Sequence, residues 1–341
     1  ASDVYKRQYL LLADDEKTLS KRMEKDSYFV RVYAKNQMYT GKHIATKLWV
    51  GDYTTGDTFE KFAQKAEGIK RIGVLRADVD NLGQTFVAGF AGKYATLSRT
   101  AALSRQLSIF FKYYIRSILK NGEYHIDGEK KLTERNATIV YSGGDDVFIV
   151  GAWNEVIELS IDLQEKFKKY TQGTLSISSG IGIYECTYPI GAIANETGEM
   201  EAESKRMPEK DSVTLMDDGE THLINELEIC DGTYRWEELY KSVLGEKYDV
   251  IQDFLGESDE RGMSFLYRML ELIRNQKEKI NFARFVYLLS RLEPDKEGEK
   301  KEKYRKFSRK MYQWVQSEKD CRELKTAINL YAYMHREKGA H

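Results

Sequence analysis

With 53 Lys plus Arg against 54 Asp plus Glu in 341 residues, the chain is long enough for two or three packed domains, and its charge argues neither for nor against a nucleic-acid partner. Its three cysteines, Cys186, Cys230 and Cys321, stand far apart without C-x-x-C spacing, which excludes a cysteine zinc site and suits a reducing, cytoplasmic setting. No apolar stretch approaches the ~20 residues of a membrane span, so no membrane partner is expected.

Residues 1–70 read as a lead-in layer, the remnant of a preceding domain. Strand character falls at 9–12, 28–33 and 47–50 (K-L-W-V), and 51–57 is rich in turn residues. Residues 58–66 (T-F-E-K-F-A-Q-K-A) read as a short helix capped by Thr58. From Arg71 the pattern sharpens, and 71–220 is predicted to be one domain. A buried-type strand at 72–75 runs into Asp78-Val79-Asp80-Asn81-Leu82-Gly83. A long helix over about 97–119 carries Leu103, Leu107, Phe110, Phe111 and Tyr114 at helical spacing. Polar residues 121–136 read as an exposed loop. Next come the stretch Y-S-G-G-D-D-V-F-I-V (141–150), a helix over 154–170, a strand over 175–184, a helix over 190–206 and a closing strand at 213–216. The order β-α-β-β-α-β with a trailing helix and strand predicts the α+β class and a ferredoxin-like palm, the plan of polymerase and nucleotide-cyclase palms. From Tyr234 onward the periodicity is helical, broken by Pro294 and the charged run 295–303. Residues 221–341 are therefore predicted to form an all-α helical bundle whose aromatic stripes are core.

Gly143-Gly144 between two β-rich runs reads as a tight hairpin with Asp145 and Asp146 at its tip. Glycine suits such a tip because it tolerates φ > 0 and lets a ligand approach the backbone. Adjacent carboxylates repel unless a cation neutralises them, and hard oxygen donors suit Mg²⁺ or Mn²⁺. An ordinary Gly-Asp turn needs no metal, so the pair alone leaves both readings open. In the ferredoxin-like plan the first strand lies beside the hairpin. Asp78 then converges with Asp145 and Asp146, as two-metal phosphoryl transfer requires. Asn81, Leu82 and Gly83 lead into the next helical segment, where backbone N–H groups can cradle phosphates. Asp80 is set apart from this group, as a brace of the turn.

Three ordered stretches carry a family resemblance: L-R-A-D-V-D-N-L-G (75–83), L-S-R-Q-L-S-I-F-F (103–111) and S-G-G-D-D (142–146). Together with K-L-W-V-G-D-Y, G-I-K-R-I-G-V-L-R and A-R-F-V-Y-L-L-S-R-L-E-P, they resemble the large signature subunit of type III-A CRISPR–Cas effector complexes, from its second palm domain into its helical tail. The resemblance runs over essentially the whole chain. It implies an enzyme that a target RNA switches on within a crRNA-guided complex. That enzyme joins ATP through 3′–5′ linkages into cyclic oligoadenylates. On this resemblance Asp78, Asp145 and Asp146 hold Mg²⁺ or Mn²⁺, with the Val79 carbonyl as a further ligand and Gly143 and Gly144 open to the nucleotide. Lys205 stands where related cyclases carry a phosphate-binding lysine, and Lys210 is a second candidate; each reads equally as a solvated helix-end charge. Ser104 and Ser108 lie on the helix expected to flank the base, where core packing competes with adenine contact. The implied partners are the other subunits of the complex, small subunits docking on the helical tail, and target RNA indirectly.

The family subunit also carries an HD nuclease domain, a first palm and a zinc-binding cysteine cluster, and none of their motifs is found in this sequence. The chain is expected to begin after all three. Without the opposing palm it is expected to bind metal–ATP weakly and make little cyclic product. Two rival readings remain. A diguanylate cyclase would carry Glu-Phe where Asp146-Val147 stand and Phe-Lys where Asn81-Leu82 stand. A catalytically idle scaffold has no need of three converging acids.

Overall fold

The structure is a computed structural model that describes residues 11–13, 15–25, 31–36, 46–129, 131–217, 219–256, 261–274 and 279–336. The chain divides into two compact units, 1–50 and 51–341. The first contains helix α1 (Glu16–Lys25) and the short parallel strands β1 (Tyr33–Lys35) and β2 (Thr46–Leu48). Met23 and Val32 form its small core. β1 and β2 overlap the strands predicted at 28–33 and 47–50. Residues 9–10 and 28–30 lie outside the described residues, and Leu11 and Leu12 belong to no strand.

The second unit opens with α2 (Phe59–Lys65), whose Thr58 hydroxyl accepts from Lys61 N as the cap prediction requires. Next come β3 (Ile72–Val79), α3 (Leu82–Ala88), α4 (Leu97–Ile109) and α5 (Ile115–Lys120). A π turn over 110–114 joins α4 to α5, so the predicted 97–119 helix is interrupted near its middle. At that turn Ile115 N donates to Phe110 O, an i→i−5 bond that leaves Phe111 O to another donor. The Ser142 hydroxyl supplies it. β4 (Ala137–Ser142), β5 (Asp146–Ala152), α6 (Trp153–Tyr170), β6 (Ile177–Tyr184), α7 (Ile190–Ser204) and β7 (Ser212–Leu215) complete the predicted order. A hairpin of β8 (Thr221–Ile224) and β9 (Leu227–Cys230) precedes β10 (Thr233–Arg235).

The main sheet runs β10-β7-β6-β3-β5-β4. Its β6-β3-β5-β4 part is antiparallel throughout and has the ferredoxin-like order. β7 adds parallel to β6, and β10 antiparallel to β7. Tyr234, read as the start of helical periodicity, therefore lies in an edge strand. Its ring is buried and its hydroxyl sits 2.7 Å from Thr326 Oγ1, a role that an aromatic fills in a strand as well as in a helix stripe. A π-helical stretch over 238–248 leads into α8 (Asp249–Leu255), α9 (Arg261–Arg274), α10 (Lys279–Ser290), α11 (Glu299–Trp314) and α12 (Glu318–His335). The break after Pro294 is present, but α11 starts inside the charged run, with Glu299 and Glu302 in a first turn that favours acids. Among the described residues no helix is long and apolar enough to cross a membrane.

β3 lies at the centre and is covered on both faces. Ile72 and Val74 join Phe62, Val150 and Ile193 on the face shared with α2 and α7. Leu75, Ala77 and Val79 enter the larger core with Phe110, Phe111 and α6. Strand alternation places Arg76 and Asp78 on the α7 face.

The 121–136 segment is a loop, as its polar composition predicts, but it is only partly exposed. Gly122 and Thr133 form a bridge, and Arg135 is only 1% exposed. Its guanidinium pairs with Glu158 and, at 2.9 Å, with Asp162, both on α6. Charge can be buried here because α6 supplies counter-charge, which composition does not reveal. Arg135→Met, which strands both acids, is expected to lower stability by about 3–5 kcal/mol in urea unfolding.

Candidate active site

In the antiparallel pairing of β3 with β5, Asp78 is the Cα partner of Asp146, and Val79 N donates to Asp145 O at 3.2 Å. Partners directly opposite project to the same face, so Asp78 and Asp146 both lie on the α7 side. Asp146 is the first residue of β5, which leaves Asp145 alone at the hairpin tip. The turn closes through Gly143 N donating to Asp146 O at 2.8 Å. Contrary to expectation, neither Gly143 nor Gly144 lies in the left-handed region. Space is what requires glycine. A Cβ on Gly143 would stand 2.2 Å from Asp146 Oδ1 and 2.6 Å from the Tyr141 hydroxyl. A Cβ on Gly144 would stand 3.4 Å from Ser108 Oγ, which puts that serine of α4 against the turn.

The lysine arrives from the other flank. α7 packs so closely on β6 that a Cβ on Gly180 would lie 2.5 Å from Thr197 O. At its C-terminal end Lys205 Nζ pairs with Asp78 Oδ2 and, at 2.7 Å, with Glu201 Oε1. Glu201 in turn holds Arg76 Nε at 2.9 Å. The chain Arg76–Glu201–Lys205–Asp78 thus alternates in sign along the edge of the site. Sequence reasoning missed Arg76 and Glu201. The signals were the i,i+4 spacing of Glu201 and Lys205 and the two-residue spacing of Arg76 and Asp78.

Burial, then the charges of Asp78 and Asp146, push the Asp145 carboxyl above its usual 3.8, with Lys205 opposing. Burial acts to lower the Lys205 pKa, but its hydrogen bonds to Asp78 and Glu201 outweigh that and leave it raised. The Tyr141 phenol is raised chiefly by the negative charge of Asp146. Asp80 braces the turn: it is 2% exposed, and its Oδ2 accepts from Ser176 Oγ at 2.7 Å and Asp211 N at 3.1 Å. Lys210 Nζ donates to Asn81 Oδ1 at 2.8 Å. Leu82 and Gly83 begin α3, and Ser104 is exposed one helical turn before Ser108. The fold therefore brings Asp78, Val79, Asp145, Asp146, Gly143, Gly144, Ser108 and Lys205 to one end of the sheet, with Asn81 and Lys210 paired beside them.

Among the described residues no three His, Cys, Asp or Glu side chains stand in metal-holding geometry. At this end of the sheet the Asp78 carboxylate is engaged by the Lys205 ammonium. The donor set nevertheless fits a hard divalent cation: its carboxylates repel one another, and an ammonium already supplies compensating charge. Two clefts, one of about 290 Å³ between β6, α7 and α12 and one of about 1150 Å³ beside β8 and α12, are lined by none of the three acids.

A ferredoxin-like antiparallel core, with acids from its first and third strands and a lysine from a flanking helix at one end, defines a palm domain of the polymerase and nucleotide-cyclase class. Residues 71–214 match the model of the Cas10/Cmr2 second palm domain, and 252–337 that of the second helical domain of the CRISPR RNA silencing complex Cmr2 subunit. The CRISPR system single-strand-specific deoxyribonuclease Cas10/Csm1 (subtype III-A) of Mycobacterium tuberculosis is 43% identical over 313 residues, 90% of this chain and 37% of the relative. A solved Csm1–Csm4 cassette in complex with pppApApA aligns with TM-score 0.67 and 26% identity over 88% of this chain and 44% of that one. The cassette in complex with AMPPNP gives 0.64 and 27% over 86% and 43%. The chain belongs to the Cas10/Csm1 family of subtype III-A large subunits. It spans well under half the length of these relatives.

The raised pKa of Asp145 fixes a sign. Its ionised form is disfavoured in the fold, so stability falls as pH rises from 3.8 through the raised value. Asp145→Asn is expected to match or exceed the parent in thermal stability near pH 7, by less than about 1 kcal/mol because the group is largely solvated. It is also expected to flatten the melting temperature against pH in that window.

Proposed function

We propose that this end of the sheet binds ATP with Mg²⁺ or Mn²⁺ and, within a type III-A effector complex, joins ATP through 3′–5′ linkages into cyclic oligoadenylates. One observation carries the reading: Asp78 and Asp146 are Cα partners, with Asp145 beside them and Lys205 over them. Relatives solved with AMPPNP and with pppApApA support it, since an ATP analogue and a triphosphate-bearing adenylate trimer are a substrate form and an intermediate that such a site would hold. In this reading Asp78, Asp145, Asp146 and the Val79 carbonyl hold the cations. When bound, these neutralise the triphosphate and activate the 3′-hydroxyl.

The chain's own groups do the rest. Lys205, which pairs with Asp78, would turn its ammonium to the phosphates once that carboxylate held a cation. Lys210 and the backbone amides of Asn81, Leu82 and Gly83 assist; α3 has seven residues, so its helix dipole adds little. Gly143 and Gly144 let the backbone of the turn lie close to Asp146 and Ser108 beside the nucleotide, and Ser108 (with Ser104 further out) flanks the base. The acids stand at the ends of the interior strands β3 and β5 and line neither cleft described above, so a second ATP needs a wall from another domain or subunit. The crRNA-containing complex, including a Csm4-type subunit, would supply that context, with small subunits on the helical tail and target RNA acting indirectly.

Alone, the chain is expected to bind Mn²⁺–ATP weakly, in preference to GTP, and to form little product. In the assembled complex, Asp145→Ala and Asp146→Ala are each expected to cut oligoadenylate output at least about a hundredfold without altering assembly. Unchanged output from both variants would favour an idle scaffold.

A further inference from the structure

Glu209, Lys210 and Asp211 have φ of 69°, 56° and 46°, and Asn81 has φ of 53°. Three consecutive non-glycine residues in the left-handed region persist only where their surroundings over-determine them. Here Lys210 N donates to Met207 O at 2.9 Å, Arg235 pairs with Glu209 at 2.9 Å, and Asp211 N donates to Asp80 Oδ2 at 3.1 Å. The Glu209 pair is exposed, so it holds the turn weakly. Asp80 is a buried anchor, accepting at 3.1 Å where the turn's other buried holds, Gln164 Nε2 on Asp211 Oδ1 and Trp236 N on Asp211 O, are longer at 3.4 Å. It also joins the turn to β6 through Ser176, and its Oδ1 has no partner among the described residues.

The segment this anchor holds carries both lysines of the site. Lys205 lies just before it on Asp78, and Lys210 within it on Asn81. Lys205 is also held by α7 through Glu201, so Lys210 depends on the anchor most.

We propose that Asp80 is a positioning residue for triphosphate recognition: its carboxylate pins the left-handed 209–211 turn to the end of β3 and so holds the Lys210 ammonium, and secondarily that of Lys205, beside the acids. The inference rests on the ATP reading of the site and names which part of ATP the turn serves. Asp80 acts through hydrogen bonds and not as a metal ligand. An asparagine oxygen in the place of Oδ2 can accept the same two bonds.

The test titrates Mn²⁺ alone, Mn²⁺–AMP and Mn²⁺–ATP onto the 341-residue chain and its variants. Asp80→Ala is expected to weaken ATP about tenfold, and AMP and Mn²⁺ alone by less than about twofold, since only the charge-assisted phosphate contacts are lost. Lys210→Ala added to Asp80→Ala is expected to cost little more, because both remove one coupled unit. Asp80→Asn is expected to restore ATP binding to within about twofold of the parent. Should the alanine chain not fold, Asp80→Ser, too short to reach the Asp211 amide, gives the same comparison. Equal losses of ATP and AMP, unchanged ATP binding, or an asparagine variant as weak as alanine would each overturn the proposal. A parent chain that binds Mn²⁺ but shows no preference for ATP over AMP would instead overturn the ATP reading on which it rests.

Discussion

Asp78 and Asp146 face one another because β3 and β5 hold one register along their whole length, from Ile72 opposite Ala152 to the acids themselves. A slip of one residue would turn every side chain of β3 to the other face. Ile72 and Val74 would leave the α2–α7 core, Leu75 and Ala77 would leave the α6 core, and Asp78 would point away from α7. The hydrophobic sorting of the central strand is therefore also the device that aims its terminal acid. On the outer strand the register shifts between Ile139 and Tyr141, which takes up an extra residue in β4 and leaves the β3–β5 ladder regular.

That aiming leaves like charges close together at the end of a sheet, and the fold offsets them with a lysine. Lys205 comes from α7, whose height over the sheet is set by Gly180, and Glu201 keeps its ammonium from swinging free. The result is an acid cluster whose compensating charge is a lysine ammonium shared between Asp78 and Glu201. Ser142 adds a tie on the opposite flank, from the residue before the glycine pair to Phe111 O in the π turn. The helix carrying Ser108 and the hairpin carrying Asp145 are thereby fixed to one another. Such π turns recur where a helix must present a side chain out of its regular phase.

Much of this was legible in the sequence, for physical reasons that differ from element to element. Short apolar, β-rich runs and the glycine pair mark β3, β4 and β5, and their order alone puts Asp78 beside the hairpin. The π turn was not legible, because apolar residues continue through Phe110, Phe111 and Tyr114 while the backbone slips by one residue. Nor was the burial of Arg135, whose counter-charges stand on α6, 23 and 27 residues further along the chain. β10 hid at the start of the stretch, from Tyr234 onward, whose periodicity reads as helical. The glycines of the turn were recognised, yet the reason differs: side chains of Tyr141 and Asp146 fill the space that a Cβ would need.

The proposed function turns on the Lys205–Asp78 pair: if Asp78 holds a cation, the Lys205 ammonium would leave it for the phosphates. Crystals of the chain grown with Mn²⁺ and AMPPNP, measured at the manganese absorption edge, test it directly. The account predicts an anomalous peak bonded to Asp78 and to the Asp145–Asp146 pair, with Lys205 Nζ moved from Asp78 to a phosphate oxygen. Nucleotide bound elsewhere, with Lys205 still on Asp78 and no manganese at the acids, would contradict it.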